Sequence, residues 1–299
     1  MASLKEIKSR INSVNGTLKI TSAMKMVASS KLHKAQNAIA NMLPYEKQMH
    51  DILYRLLSDD SVPVCGEYIS QRPCRKVAIV AVSSSSSLCG AFNSNVIRHL
   101  HETAAEYLSA GLTKDDILVY GLGRKVADTA SKAGYASMGD FCRLEEKYVY
   151  SEVADFARML IGKFMKREVD KIELVYTHCR STAVQVPVRE TYLPFVSSPS
   201  APDGQDDSNR DDSGYMKDYI IEPDAESVLR DLLPKVLVLK IYTMLLDANA
   251  AEHAARMIAM QEATDNGNQL LQDLTLQYNK QRQQSITDEL LDIVSGSLA

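Results

Sequence analysis

Between positions 224 and 296 the chain has one internal proline, Pro234, and one glycine before its end, Gly267, and nothing else there breaks a helix. Apolar residues recur through it at helical spacing: Leu229, Leu233, Leu237, Ile241, Leu245 and Ala248, then Leu271, Leu274 and Tyr278. Such a helix is about 110 Å long, more than one globular domain holds. It needs a partner along its length, or it stands in solvent. The other end of the chain offers one. Residues 2–58 carry only Gly16 and Pro44 as breakers, and Leu4, Ile7, Ile11, Val14 and Leu18 step by three and four, as a heptad seam does. The pattern slips over 20–27, as at a stutter, and resumes at Leu32, Ala35, Ile39 and Met42. A helix that leaves a compact centre and one that returns to it pair antiparallel.

Charge follows the same division. Residues 1–40 hold seven Lys or Arg and one acid, Glu6, whereas residues 224–299 hold eleven acids and six Lys or Arg. Lys5, Lys8 and Arg10 at a helix start, and Asp288, Glu289 and Asp292 near a helix end, each oppose their own helix dipole. Antiparallel pairing offsets part of both penalties if the two ends meet; the alternative is two solvated charged faces. The net charge of −4 argues neither for nor against nucleic acid. Five cysteines (Cys65, Cys74, Cys89, Cys142, Cys179) without a Cys-x-x-Cys pair read as free thiols in a reducing compartment. No apolar run of membrane-spanning length occurs, and the N-terminus lacks a signal core.

The middle alternates strand and helix. Residues 77–82 form a continuous apolar run that reads as a buried parallel strand. A helix follows to about Ser109, with Asn93 or Ser94 as its cap, then strands at 117–120, 135–138 and 172–177, helices after Gly123 and over 151–168, and an edge strand over 184–195 that tolerates Pro187. The expected fold is α/β plus coiled coil: long antiparallel terminal helices (1–60 and 223–299) flanking a Rossmann-like, doubly wound α/β domain (75–222). Within it, residues 197–214, with five Asp, two Pro and two Gly, read as a disordered acidic insertion. A short strand at 219–221 precedes the long helix, which Pro223 and its flanking acids start.

No motif places an active site. The serine run 83–87 after the first strand offers hydroxyls and amides to a phosphate, in the manner of a flavodoxin-like loop, but lacks the lysine and spacing of a Walker A loop. Gly121-Leu-Gly123 is two-thirds of a dinucleotide fingerprint, and a tight strand-to-helix turn accounts for it better. The histidines are scattered and form no metal-ligand pair, so no cofactor or metal is expected. The terminal helices carry more information. Residues 20–31 set small residues, two Met and two Lys on one helix, and residues 278–287 are unusually polar for a buried helix. If the arms pair, roughly 16 residues of the last helix project by ~24 Å. A projecting tip needs a socket, which indicates an interaction role.

Residues 20–31 (ITSAMKMVASSK), 252–266 (EHAARMIAMQEATDN) and 274–296 (LTLQYNKQRQQSITDELLDIVSG), with 4–11 (LKEIKSRI) and 88–93 (LCGAFN), closely resemble the gamma subunits of F-type ATP synthases. The resemblance spans nearly the whole chain and departs at the serine run 83–87 and at 197–214. It implies a rotor shaft whose tip sits in a ring of three alpha and three beta subunits. It further implies a foot that contacts the epsilon subunit and the membrane c-ring, and the absence of bond chemistry in the subunit itself. It implies that Met24 faces the beta subunits, and that Arg256, Gln283 and Thr287 hydrogen-bond beta-subunit loops. The expected location is peripheral, on the cytoplasmic face of a bacterial inner membrane. Two other readings compete: a flavodoxin-like nucleotide or flavin enzyme with helical arms, and a structural coiled-coil hairpin that self-associates.

Overall fold

Strand β1 (Val77–Val82) is buried at every residue, and so is β2 (Ile117–Leu122) beside it. Their near-continuous apolar sequence is what a strand covered on both faces requires. The computed structural model describes residues 3–58, 66–70, 72–146, 148–195, 221–222 and 224–297. In chain order these form α1 (Leu4–Ser58), α2 (Gly66–Ile69), β1, α3 (Phe92–Ser109), a 3₁₀ turn (Lys114–Asp116), β2, α4 (Arg124–Ala133), β3 (Ala136–Ser137), α5 (Cys142–Glu146), α6 (Tyr150–Met165), β4 (Lys171–Cys179), β5 (Gln185–Leu193) and α7 (Ala225–Ser297). The sheet order is β3-β2-β1-β4-β5. The first four strands run parallel, and β5 pairs antiparallel with β4 at the edge, with Pro187 opposite Thr177. The insertion 197–214 and most of the short strand expected at 219–221 lie outside the described residues.

Two compact units divide the chain, Lys31–Ala255 on one side and Met1–Ser30 with Arg256–Ala299 on the other. In the larger unit the sheet is covered on both faces. Val77, Ile79 and Ala81 of β1 meet Val96, Leu100 and Ala104 of α3 and Val126 and Ala130 of α4. The alternate residues Ala78, Val80 and Val82 join a second core with Val153, Ala157, Leu160 and Phe164 of α6. That same core takes in Met49, Leu53 and Leu56 of α1 and Leu229, Leu233, Leu237, Ile241 and Leu245 of α7. The apolar stripe that marks the first part of α7 as amphipathic is therefore spent within the core of the sheet domain.

Of two local features, the first differs from expectation and the second, at the flanking acid Asp224, agrees with it, while Pro223 lies outside the described residues. Asn93 does not cap α3; Ala91 holds that position without a side-chain bond. The Asn93 amide instead ties the preceding loop: its Oδ1 accepts from Ser84 N at 2.9 Å and its Nδ2 donates to Ser86 O at 3.3 Å. The start of α7 is organised by Asp224, whose carboxylate accepts from Ser227 N at 2.7 Å and from the Ser227 hydroxyl at 2.9 Å.

The turn between β2 and α4 requires glycine. Gly123 has φ 110°, and a Cβ there would lie 1.9 Å from Ser83 O. Backbone approach this close holds the β1–α3 loop against α4, and the Ser83 hydroxyl accepts from Val126 N at 3.0 Å, satisfying a first-turn amide of α4. Replacing Ser83 with Ala leaves that buried N–H unpaired. The expected loss is about 1–2 kcal/mol of stability, read as a lowered denaturant midpoint with unchanged slope.

Candidate functional site

Among the described residues, the unit formed by Met1–Ser30 and Arg256–Ala299 consists of the start of α1 and the last part of α7. Its pairing follows from two contacts. Leu18 lies against Gly267, and three residues further along α1 the Thr264 hydroxyl donates to the Thr21 hydroxyl at 2.9 Å. Position advances on one helix as it recedes on the other, so the helices are antiparallel. Buried residues of this unit are Ile7, Thr21, Ala28, Met260 and Leu274. Extending the register places Ile11 beside Leu274 and Ile7 beside Tyr278.

The close approach at Gly267 is specific. A Cβ there would lie 2.7 Å from Leu18 Cδ2, the flexible end of that side chain. Gly267→Ala is expected to change stability by less than about 1 kcal/mol, because helix propensity offsets a small repacking. Gly267→Leu forces the seam apart and is expected to cost about 1–3 kcal/mol. Thermal melting of the two variants beside the parent chain checks the ranking.

The same register corrects the charge expectation. Lys5, Lys8 and Arg10 fall opposite residues 275–280, near Lys280, and not opposite Asp288, Glu289 and Asp292. Those acids lie beyond the start of α1, because the apolar seam around Leu18 and Gly267 fixes the alignment and surface charge does not. Arg10 pairs with Glu6 of its own helix at 2.8 Å.

Past the paired region α7 continues without cover. Residues 271, 274, 278, 281 and 285 are still protected in helical rhythm, and every residue from 286 to 296 is exposed. Five of these are large and apolar: Ile286, Leu290, Leu291, Ile293 and Val294. Ile286, Leu290, Ile293 and Val294 share one side of the helix by their spacing, with Asp288, Glu289 and Asp292 on the other. Three helical turns with an open apolar side are marginal alone in water and present a surface that a partner can cover. Sequence reasoning singled out the polar stretch 278–287 as the tip and counted Ile286, Leu290, Ile293 and Val294 as part of the apolar stripe of the helix. The signal was present, as helical spacing carried past the point where the partner helix ends.

All four sequence-derived contact residues lie in this unit. Met24 and Arg256 are half-buried, and Gln283 and Thr287 are exposed on successive turns near the tip. The Thr287 hydroxyl donates to Gln283 O at 2.9 Å. A shallow groove between the helices is lined by Leu18, Lys19, Ser22, Met26, Thr264 and Asn268, and Met24 is not among its walls. Ile20, Met26 and Val27 are exposed on α1.

The serine loop does not form a phosphate cradle. Ser83 N donates to Leu122 O at 2.7 Å and its hydroxyl serves α4. Ser84 N is taken by Asn93, Ser86 N donates to the Ser84 hydroxyl at 3.0 Å, and both Ser85 N and the Ser85 hydroxyl donate to Glu145 Oε2. Donors already engaged inside the protein are not available to an anion. Likewise Gly121 packs against Ala127 and Gly123 against Ser83, so both glycines serve the strand-to-helix turn.

A serine loop whose donors are engaged inside the protein, and a two-helix arm with an uncovered amphipathic end, are features of a partner-binding protein. The sequence profile of the family described as ATP synthase matches residues 3–299. The ATP synthase gamma chain of Phocaeicola vulgatus is 55% identical over 299 residues, all of both chains. That of Flavobacterium johnsoniae is 41% identical over 299 residues, covering 100% of this chain and 99% of the relative. Among solved structures, the Euglena gracilis mitochondrial ATP synthase (OSCP/F1/c-ring, rotational state 3) contains a chain with TM-score 0.63 at 16% identity, covering 99% of this chain and 93% of that one. The central stalk/c-ring structure from Tetrahymena thermophila gives TM-score 0.55 at 18% identity, over 82% of this chain and 99% of that one. The chain belongs to the ATP synthase gamma-chain family, whose members form the central-stalk rotor of F-type ATP synthases.

Proposed function

We propose that the chain is the shaft of a bacterial F-type ATP synthase, one copy per three alpha and three beta subunits. In this reading its tip, 286–296, turns in the bore of the alpha-beta ring. Its sheet domain meets the epsilon subunit and the membrane c-ring. Proton flow turns ring and shaft together, and the asymmetric shaft drives each beta subunit through its nucleotide states. The subunit contributes no catalytic residue, cofactor or metal. It works at the cytoplasmic face of the inner membrane as a peripheral component. No helix among the described residues is long and apolar enough to cross a membrane.

The observation that carries this reading is the uncovered apolar side of the last three turns of α7, a surface shaped for insertion. Met24 faces the beta subunits, while Arg256, Gln283 and Thr287 hydrogen-bond their loops. Exposed polar contacts of this kind contribute little individually, ~0–1 kcal/mol for a surface ion pair, and so break readily at each step. The test is assembly. The purified chain is mixed with alpha and beta subunits, and elution and ATP hydrolysis are followed. Entry of one copy into a complex with three of each, with rising activity, supports the reading. A chain that stays alone beside properly folded partners overturns it. The double variant Gln283→Ala, Thr287→Ala is expected to keep its melting temperature and to lose severalfold in stimulated activity.

A further inference from the structure

In the larger unit the end of α6 and the lead into β1 are stitched into one surface. The Asp170 carboxylate accepts from Arg75 N at 2.9 Å and from Lys76 N at 3.1 Å, and Asp170 N donates to Lys76 O at 2.9 Å. Phe164 O accepts from Arg167 N at 3.1 Å and from Arg72 Nη1 at 3.4 Å, with the Arg72 guanidinium 4.8 Å from the centre of the Phe164 ring. This juxtaposition brings Arg75, Lys76, Lys166 and Arg167 to one edge of the domain, all four exposed. The edge lies at the start of β4. There Ile172 pairs with Leu193, and the adjoining Tyr192 hydroxyl donates to Leu237 O of α7 at 2.9 Å, whereas Cys179 N, at the far end of β4, donates to Asp247 at 2.9 Å. The cationic edge is thus at the end of this unit away from Ala255, where α7 leaves it.

Arg167 stands where glycine fits better. α6 ends in a left-handed turn: Glu168 N donates to Lys163 O at 2.9 Å, and Arg167 has φ 60°. Glycine adopts that conformation without steric cost, and an arginine there is strained. A cation near a helix end complements the dipole, but Lys163 and Lys166 already supply that. Strain kept at an exposed side chain points to a use for the side chain. None of the four cations makes an ion pair or hydrogen bond through its side chain with another described residue. Most acids beside them are occupied. Glu168 pairs with Lys163 at 3.1 Å, Asp170 holds the two amides, and Asp116, on the turn before β2, accepts from the Thr113 amide at 3.1 Å and hydroxyl at 2.6 Å, which leaves Asp115 open. Phe164, Met165 and Val169, the large apolar residues of 72–76 and 163–171, are buried or half-buried. A specific protein interface is anchored by apolar and aromatic residues at its centre. Long cationic side chains without such an anchor suit a diffuse anionic surface instead.

We propose that this edge, Arg75 and Lys76 with Lys166 and Arg167, is a docking surface for anionic lipid headgroups, which hold the sheet domain close to a membrane. The surface rests on the function proposed above for the nearness of a membrane, and its test does not use the alpha and beta subunits. Each cation within a Debye length of a negative bilayer adds its own increment of attraction, and salt screens it. Attraction of this kind has no fixed partner atom, so the domain slides over the surface as it turns.

The test is co-sedimentation of the full chain with vesicles of neutral phosphatidylcholine, or of phosphatidylcholine with about 30% phosphatidylglycerol, at about 0.03 M and about 0.3 M salt. Binding is expected to the anionic vesicles alone and is expected to fall at the higher salt. Arg167→Gly is expected to lower partitioning about fivefold while its melting temperature stays level or rises, because glycine relieves the turn. The quadruple variant Arg75→Gln, Lys76→Gln, Lys166→Gln, Arg167→Gly is expected to remain in the supernatant. A quadruple variant that binds as the parent does overturns the proposal, since the basic start of α1 or the apolar end of α7 then carries the binding. A parent chain that ignores anionic vesicles at low salt also overturns it, in favour of an acidic protein surface. An Arg167→Gly chain that melts lower and binds unchanged makes Arg167 a structural residue, with the same consequence. The assembly assay is separate: a chain that binds vesicles through this edge but stays out of the alpha-beta complex keeps this surface and loses the shaft.

Discussion

Leu274→Asp is expected to unfasten the shaft, whereas Ile286→Asp, twelve residues along the same helix, is expected to leave it folded. Leu274 is 7% exposed in the seam that also holds Ile7, and Ile286 is 48% exposed beyond it. An aspartate at 274 loses the burial of a leucine side chain and puts a carboxylate in an apolar seam, where the register sets Ile11 beside it. The two terms together cost about 3–5 kcal/mol, a large share of a typical domain's stability. At 286 the side chain already meets water, and the expected change is within about 0.5 kcal/mol. The consequence for assembly is reversed. Ile286→Asp places a charge on the apolar side proposed to enter the socket, so in that reading the folded variant should fail to stimulate ATP hydrolysis by alpha and beta subunits. Circular dichroism melts of the isolated chain, followed by the assembly assay, separate the two effects. Equal destabilisation at both positions would show that 286–296 is structural and not a docking surface.

The contrast between these positions also marks what the sequence discloses. Helical periodicity identifies both long helices and their antiparallel sense, and unequal lengths foretell an unpaired end. Periodicity does not say what an apolar stripe packs against. Leu233, Leu237 and Ile241 have the spacing of a pairing seam, yet they belong to the sheet domain's core. Nor does it give the register, which depends on the close contact of Gly267 with Leu18, and so the expected meeting of basic and acidic ends fails. The continuous apolar run at 77–82 discloses a buried parallel strand because burial on both faces removes alternation. The serine run shows the opposite limit. Its composition suits an anion, but the competing partners Glu145, Asn93 and Val126 come from other parts of the chain, and only the fold brings them to it. The four contact residues became visible through resemblance to a family. The structure adds that Gln283 and Thr287 lie near the exposed end of α7, whereas Met24 and Arg256 lie well back along the paired helices.

Glu173→Gln is expected to be strongly destabilising, and its effect should depend on pH. Glu173 points from β4 into the α3 face of the sheet at 1% exposure. Arg189 Nε donates to it at 2.6 Å and Nη2 at 3.1 Å, Lys171 Nζ lies at 2.7 Å, and the Tyr107 hydroxyl donates as well. Arg189 also reaches Glu106 of α3, so one carboxylate organises β4, β5 and α3. Burial pushes the Glu173 carboxyl up, but the bonds from Arg189, Lys171 and Tyr107 together outweigh it and hold the group below its ordinary value of 4.5. The amide leaves Arg189 and Lys171 without their shared anion, and breaking such a buried pair costs about 3–5 kcal/mol. A depressed carboxyl contributes stability that is full above 4.5 and is lost as pH falls through the folded-state value. The gap between parent and Glu173→Gln denaturant midpoints should therefore be widest near neutrality and close as the pH falls through the lowered folded-state value. A Glu173→Gln gap that stays constant across pH would mean that side-chain packing, and not the carboxylate charge, holds β5 to the sheet.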